Sequence, residues 1–154
     1  PPRSTLFPYT TLFRSDTNFI YEKLFEEVSI EGIKLRYAIV ENLETFLNGK
    51  IIVSYITKSM IEKSKASKDD LVELVRLGSM IKGHELHIFF SERDNNTVKV
   101  SLRSKNIVDV NKIAGYFGGG GHVKASGFVQ KGNFNNVKND VLNKIISIAK
   151  EEYF

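Results

Sequence analysis

The sequence predicts an α/β domain with a mixed β-sheet of about four or five strands flanked by helices, preceded by a helical segment. Three observations predict it. Runs rich in β-branched residues alternate with runs of helical period. Two of the strand-like runs, 84–91 and 97–104, are joined by the polar turn Asp94-Asn95-Asn96 and read as a hairpin. From Phe134 onward, apolar residues recur at helical spacing and form the stripe of a closing helix.

Taken in order, Asp16 or Thr17 can cap a helix through Ile20, Leu24 and Val28. Ser29 can cap a second, expected to run to about Phe46 with Ile33, Tyr37, Val40, Leu43 and Leu47 on its apolar face. Asn48-Gly49 is a turn signal. Ile51 to Thr57 is β-branched and reads as a strand, followed by a short helix over Lys58 to Lys63. Ser67 and Asp70 have capping-box spacing, with an acid in place of the usual Glu, ahead of Leu71, Leu74 and Val75. Gly78 and Gly83 are expected to bracket a connection.

His84 to Ser91 reads as the next strand and Thr97 to Ser104 as its hairpin partner. In the latter, Val98, Val100 and Leu102 point one way, and Lys99, Ser101 and Arg103 the other. Asp109 can cap a short helix with Val110, Ile113, Ala114 and Phe117 on one face. Gly118 to Gly121 follow, then a strand from Ala125 to Gln130. Phe134, Val137, Val141, Ile145 and Ile148 belong to the closing helix. The sheet domain is therefore expected over residues 48–154, with a helical linker over 16–47.

Residues 1–15, PPRSTLFPYTTLFRS, stand apart. They carry an internal near-copy (Ser4-Thr5-Leu6-Phe7 and Thr10-Thr11-Leu12-Phe13), no acid and no period. They lack the continuous apolar core of a targeting peptide. They resemble translated sequencing-adapter read-through and are set aside as non-native. The natural chain is expected to extend further upstream, making this one its C-terminal part.

The 154 residues are 42% apolar and 26% charged, the balance of an ordinary globular domain. No apolar run approaches the ~20 residues that span a bilayer. The expected location is the cytoplasm, with no membrane partner. Cysteine is absent, which excludes disulfides, cysteine-ligated zinc and thiol catalysis for this chain. The net charge is +4 and its placement matters more than its size. Within 99–124, Lys99, Arg103, Lys105, Lys112 and Lys124 face one acid, Asp109, so this window holds the whole excess. Seven of the 11 glycines lie between Gly115 and Gly132.

Four consecutive glycines are costly to order. Set between an amphipathic helix and an apolar strand, they point to close approach of a phosphate or sugar to the backbone. The run is not a Walker loop, since no Gly-Lys-Ser/Thr follows. It also follows a helix, whose dipole opposes an anion there. Cations must therefore assist, and His122, Lys124 and Arg103 are at hand. His122 can donate to a phosphoryl oxygen. The Arg103 guanidinium suits phosphate bidentately, and Ser104 can add a hydroxyl. The alternative for Arg103 is a solvated strand face, and the residues alone weigh the two equally. His84 and His87, expected on opposite strand faces, read as structural or exposed. Asp69, Asp70 and Glu73 read as acids of a first helical turn rather than metal ligands.

The stretch SLRSKNIVDVNKIAGYFGGGGHVKASGF (101–128) resembles the signature of the DHHA1 domain, the C-terminal domain of DHH-family phosphoesterases. Its tail, Ala125-Ser126-Gly127-Phe128, is most similar to the oligoribonuclease (nanoRNase)/pAp phosphatase branch. The resemblance implies a two-domain hydrolase. An upstream DHH domain holds two metal ions, typically manganese, and the DHHA1 domain holds substrate. Carried onto this chain, Arg103 and His122 grip phosphates, with Ser101, Ser104 and Lys124 assisting. Gly118, Gly119, Gly120 and Gly121 admit the nucleotide. The implied partners are short RNA, nucleotide phosphates and the DHH domain, and the resemblance admits a homodimer. No DHH motif occurs here, so no catalytic residue and no metal ligand is expected in this chain. The expected function is that of a substrate-binding part of a 3′-to-5′ exonuclease on short RNA, which also dephosphorylates 3′,5′-bisphosphate nucleotides. A part of a cyclic-dinucleotide phosphodiesterase, a part of a RecJ-type exonuclease and a self-standing nucleic-acid-binding module remain the alternatives.

Overall fold

The computed structural model describes residues 28–67, 69–71 and 74–154. The helix expected from Asp16 or Thr17, and Glu73, fall outside them. Ser29 caps α1 (Ile30–Glu41) by accepting the Gly32 N–H at 2.8 Å. The helix stops well short of Phe46. Asn42 ends it: its side-chain amide bonds the Ala38 carbonyl at 2.6 Å, while its oxygen accepts from Tyr55 at 3.0 Å. The chain then enters β1 (Glu44–Phe46), β2 (Ile51–Ile56), α2 (Lys58–Ser64), a 3-10 turn (Asp69–Leu71) and α3 (Val75–Ser79). The hairpin of β3 (Leu86–Arg93) and β4 (Thr97–Ser104) follows, then α4 (Val110–Gly115), β5 (Gly120–His122), β6 (Ala125–Lys131) and α5 (Phe134–Glu152).

The strands form one mixed sheet in the order β1-β2-β3-β4-β6-β5, with β2 and β3 parallel and every other pair antiparallel. It has six strands rather than four or five. The two extra ones are three-residue edge strands, β1 and β5, too short to show a period. Because β1 pairs with β2, the sheet begins inside the 16–47 segment expected to be wholly helical.

α1 also turns a different face inward. Gly32, Leu35 and Ile39 are buried, whereas Ile33, Tyr37 and Val40 of the expected face are 57%, 65% and 50% exposed. Packing on β2 and β3 decides this. Leu35 and Ile39 meet Ile56, Leu74 and Phe89 in one small core. A Cβ on Gly32 would lie 2.5 Å from Asp70 Oδ1, so only the glycine side fits against the 3-10 turn. The Ser67–Asp70 capping box forms reciprocally, at 2.8 and 3.3 Å, and Ser29 also donates to Asp70. Bonds from Ser29 and Ser67 hold the Asp70 carboxyl below its ordinary range. Gly78 lies within α3, not in a connection.

The main core lies on the opposite sheet face. Ile51, Val53, Leu86, Ile88, Phe90, Val98, Val100 and Leu102 meet Val141, Ile145 and Ile148 of α5. Each such fully buried side chain contributes about 1.5–3 kcal/mol. The three-residue hairpin turn, Asp94 to Asn96, places Asn95 and Asn96 at φ of 59° and 52°, left-handed backbone that asparagine tolerates better than most residues. α1, α2 and α3 cover only the β2–β3 half of their face. On that side, Lys99, Val129, Gly120 and His122 of β4, β6 and β5 are exposed. Among the described residues no helix is long and apolar enough to cross a membrane.

Candidate phosphate-binding face

The open half of the sheet brings together Ser101, Arg103, Gly120 and His122 of the residues singled out above. Directly paired residues on neighbouring antiparallel strands point to one face. Arg103 pairs with Ala125, and Ala125 with His122. Arg103 and His122 therefore share a face and a row, with only the small Ala125 between them. Their backbones stand two strand spacings apart, about 10 Å, which both side chains can close onto one phosphate over Ala125. The next row is Ser101–Gly127–Gly120, a floor nearly bare of side chains. Lys99 and Val129 follow.

The four glycines do different jobs. Gly119 donates to the Ala114 carbonyl at 2.9 Å, Gly118 to Gly115 at 3.1 Å, and Gly121 to Asn111 Oδ1 at 2.9 Å. These amides serve the fold, and the run is largely an edge strand rather than a cradle of free N–H groups. A Cβ on Gly119 would stand 2.4 Å from the Gly127 carbonyl and from Phe128 Cβ. One on Gly121 (φ +149°) would stand 2.6 Å from the Ala125 carbonyl. Gly120 faces the open surface, with Asn111 Oδ1 at 3.6 Å as its nearest obstacle. Asp109 caps α4 through the Asn111 and Lys112 amides, as expected, and so fixes Asn111 beneath the strand.

Two expected members of the site are placed elsewhere. Ser104 follows Leu102 in the alternation, so it faces the main core side, and its hydroxyl donates to Val108 O at 2.6 Å. Lys124 turns its ammonium onto the Asn106 carbonyl. Arg103 is half-buried and donates to its neighbour's carbonyl, Leu102 O, at 2.9 Å. His122 is exposed.

The wall of the open face is the 3-10 turn and α3. There a cleft of about 170 Å³ opens between Leu71, Leu74 and Val75 on one side and Lys99, Ser101 and Arg103 on the other. Arg93 also lines it, and sequence reasoning missed that residue. Its parity with His87, Phe89 and Ser91 on β3 was the available signal. A larger cavity of about 590 Å³, bordered by Lys50, Glu85, Lys150 and Tyr153, contains none of the expected site residues.

Behind Arg103 lies a buried polar group. His87 pairs with Arg103 across β3–β4, is fully buried, and shares hydrogen bonds with Ser54 Oγ at 2.8 Å and Ser79 Oγ at 3.3 Å. A Cβ on Gly78 would lie 2.1 Å from its Nε2, so α3 approaches the sheet only because that residue is glycine. His84 precedes β3 instead of lying in it. It too is buried, its ring 6.5 Å from that of His87 and its Nδ1 bonded to Ile81 O at 2.7 Å. Both histidines are structural, although not on opposite strand faces.

Burial pushes the His87 imidazole down from 6.5 to about 4, with the charges of His84 and Arg103 acting in the same direction. Between those values the unfolded chain binds more protons than the folded one, so stability rises with pH across the window. Lowering the pH from 6.5 to 5 is expected to cost up to about 1.4 kcal/mol per pH unit. Thermal denaturation over that range checks it, and His87→Gln should remove most of the slope.

Among the described residues no group of three or more His, Cys, Asp or Glu could hold a metal ion. The two manganese ions implied by the resemblance are expected in the upstream DHH domain, not on these residues.

Comparison with known proteins bears on the family and the fold. The model of the DHHA1 domain matches residues 48–151. The bifunctional oligoribonuclease and PAP phosphatase NrnA of Mycoplasma genitalium is 29% identical over 146 residues, covering 92% of this chain and 44% of that protein. Its namesake in Bacillus subtilis is 32% identical over 108 residues, 70% of this chain and 33% of that one. The chain thus spans less than half the length of these relatives. Among solved structures, an exopolyphosphatase-related protein from Bacteroides fragilis superposes with a TM-score of 0.78 at 26% identity, covering 88% of this chain and 40% of that one. A pGpG-specific phosphodiesterase from Vibrio shares the fold at a TM-score of 0.51 and 9% identity, covering 79% and 40%. With the family model matching residues 48–151, more than half of the chain, the chain belongs to the DHHA1 domain family.

Proposed function

We propose that this chain is the substrate-holding module of a phosphoesterase that degrades short oligoribonucleotides and dephosphorylates 3′,5′-bisphosphate nucleotides. The observation that carries the reading is the row Arg103–Ala125–His122 on the half of the sheet the helices leave open. Arg103 and His122 hold one phosphate. Ser101 donates beside it, and the Gly127–Gly120 floor admits the sugar without a steric barrier. The small, neutral floor between cations suits a short ligand lying flat. The names of the relatives support the substrate class, and their greater length supports an upstream portion that supplies the metal ions and the attacking water. This chain supplies binding and orientation only.

The test is a titration of the chain with pAp, a 5′-phosphorylated diribonucleotide and long duplex RNA. Saturable binding of the two short ligands, tighter than that of duplex per site, is expected, without manganese-dependent release of mononucleotide. Duplex bound more tightly than the short ligands would favour a self-standing nucleic-acid-binding module. Robust hydrolysis by this chain would contradict the division of labour.

A further inference from the structure

The cavity of about 590 Å³ has no part in the phosphate-binding face. Two of its lining residues, Leu47 and Tyr153, also pack against the main core, which places it on the α5 side of the sheet. Its volume lies in the range of small-molecule sites, about 300–1,000 Å³. Two kinds of group line it. Leu47, Ile107, Tyr153 and Phe154 supply apolar surface, and Ile107 is 58% exposed beside it. Lys50, just before β2, and Lys150, in the last turn of α5, bring two ammonium groups to the same cavity. Glu85 lines it as well, but its carboxylate is committed. It accepts the Asn106 and Ile107 N–H groups at 3.1 and 3.3 Å and the Asn106 side-chain amide at 2.9 Å. These bonds, that of the Asn106 side chain foremost, hold the carboxyl below its ordinary range. Glu85 thus fixes the turn that sets Ile107 at the cavity.

Leu47 adds a second observation. It stands at φ 52°, followed by Asn48 at 54° and Gly49 at 81°. Asparagine and glycine tolerate left-handed backbone, whereas a leucine adopts it only under strain. Residues held in that way concentrate at ligand sites. Here the strained backbone sets the Leu47 side chain between the main core and the cavity. We infer that this cavity binds a small aromatic acid, with its ring against Leu47, Ile107 and Tyr153 and its acid group between Lys50 and Lys150. A carboxylate and a phosphate share the chemistry the two lysines recognise. The site is separate from the phosphate-binding face and independent of the function proposed for it.

The experiment is a ¹H–¹⁵N NMR titration of the chain at neutral pH with naphthoate, naphthyl phosphate and the uncharged naphthamide. Saturable shifts on Leu47, Lys50, Ile107, Lys150 and Tyr153 are expected with at least one of the two acids. The tighter of the two identifies the acid group. Naphthamide should bind the cavity about tenfold more weakly than that acid. The Lys50→Gln/Lys150→Gln double variant should lose about the same factor for the acid itself. Both lysines are exposed, so the variant keeps its fold, and the amide makes the same comparison on the unaltered chain. Equal binding of amide and acid, or undiminished binding of the acid by the double variant, would overturn the proposal. So would the absence of saturable shifts at the cavity with both acids, including shifts confined to the face of Arg103 and His122. Each of these results leaves the phosphate-binding face untouched.

Discussion

Replacing Arg103 by alanine is expected to weaken binding of pAp by about 10- to 100-fold, the value of a charged hydrogen-bonded contact. The melting temperature should barely move. Arg103 is half-buried at the boundary between the covered and open halves of the sheet, and its guanidinium donates to the neighbouring Leu102 carbonyl. Among the described residues it forms no ion pair. Arg103→Lys should recover only part of the affinity, since an ammonium cannot offer the two parallel donors of a guanidinium. His122→Ala should cost less, because His122 is exposed to solvent and would donate through one nitrogen. Isothermal titration of the three variants checks the order. An unchanged dissociation constant for Arg103→Ala would place the phosphate elsewhere.

Alanine scanning of the glycine run should separate two kinds of glycine. Gly119→Ala and Gly121→Ala are each expected to lower stability by about 2–4 kcal/mol, from overpacking and, at Gly121, backbone strain. In both, the added methyl meets the backbone of β6, at 2.4 and 2.6 Å, and backbone in a paired strand cannot step aside. Gly120→Ala meets nothing closer than 3.6 Å and should melt nearly as the wild type does. Its methyl nevertheless stands on the ligand floor beside Gly127, so binding of pAp should weaken. Thermal denaturation paired with titration distinguishes the two classes. Equal destabilisation by all three would mean that the edge strand is not docked as described.

Much of this was legible in the sequence, for reasons that differ by element. Thr97–Ser104 shows a clean alternation, so both the strand and its polar face could be read residue by residue. Asp109 announced α4 because a cap is a local bond. Where the structure departs, a tertiary fact decided. α1 has apolar residues on both sides, and the approach of Gly32 to Asp70 selects which one packs. β1 and β5 exist only as pairings with β2 and β6, and three residues carry no period. Ser104 and Lys124 looked available because sequence does not show Val108 O or Asn106 O waiting for them. The nearness of Arg103 to His122 was beyond reach as well. It depends on β6 returning antiparallel between β4 and β5, in a register that sets Ala125 against both. Arg93 was missed for a related reason, since its place in the cleft needs the hairpin register and the position of α3 together.

The most direct test of the phosphate-binding face is a ¹H–¹⁵N NMR titration of the chain with pAp. The account predicts that the largest, saturable shifts fall on Ser101, Arg103, Gly120, His122 and Gly127, residues of three strands that share one face. Shifts centred instead on Lys50, Lys150 and Tyr153 at the larger cavity, or no saturable shift at all, would contradict it.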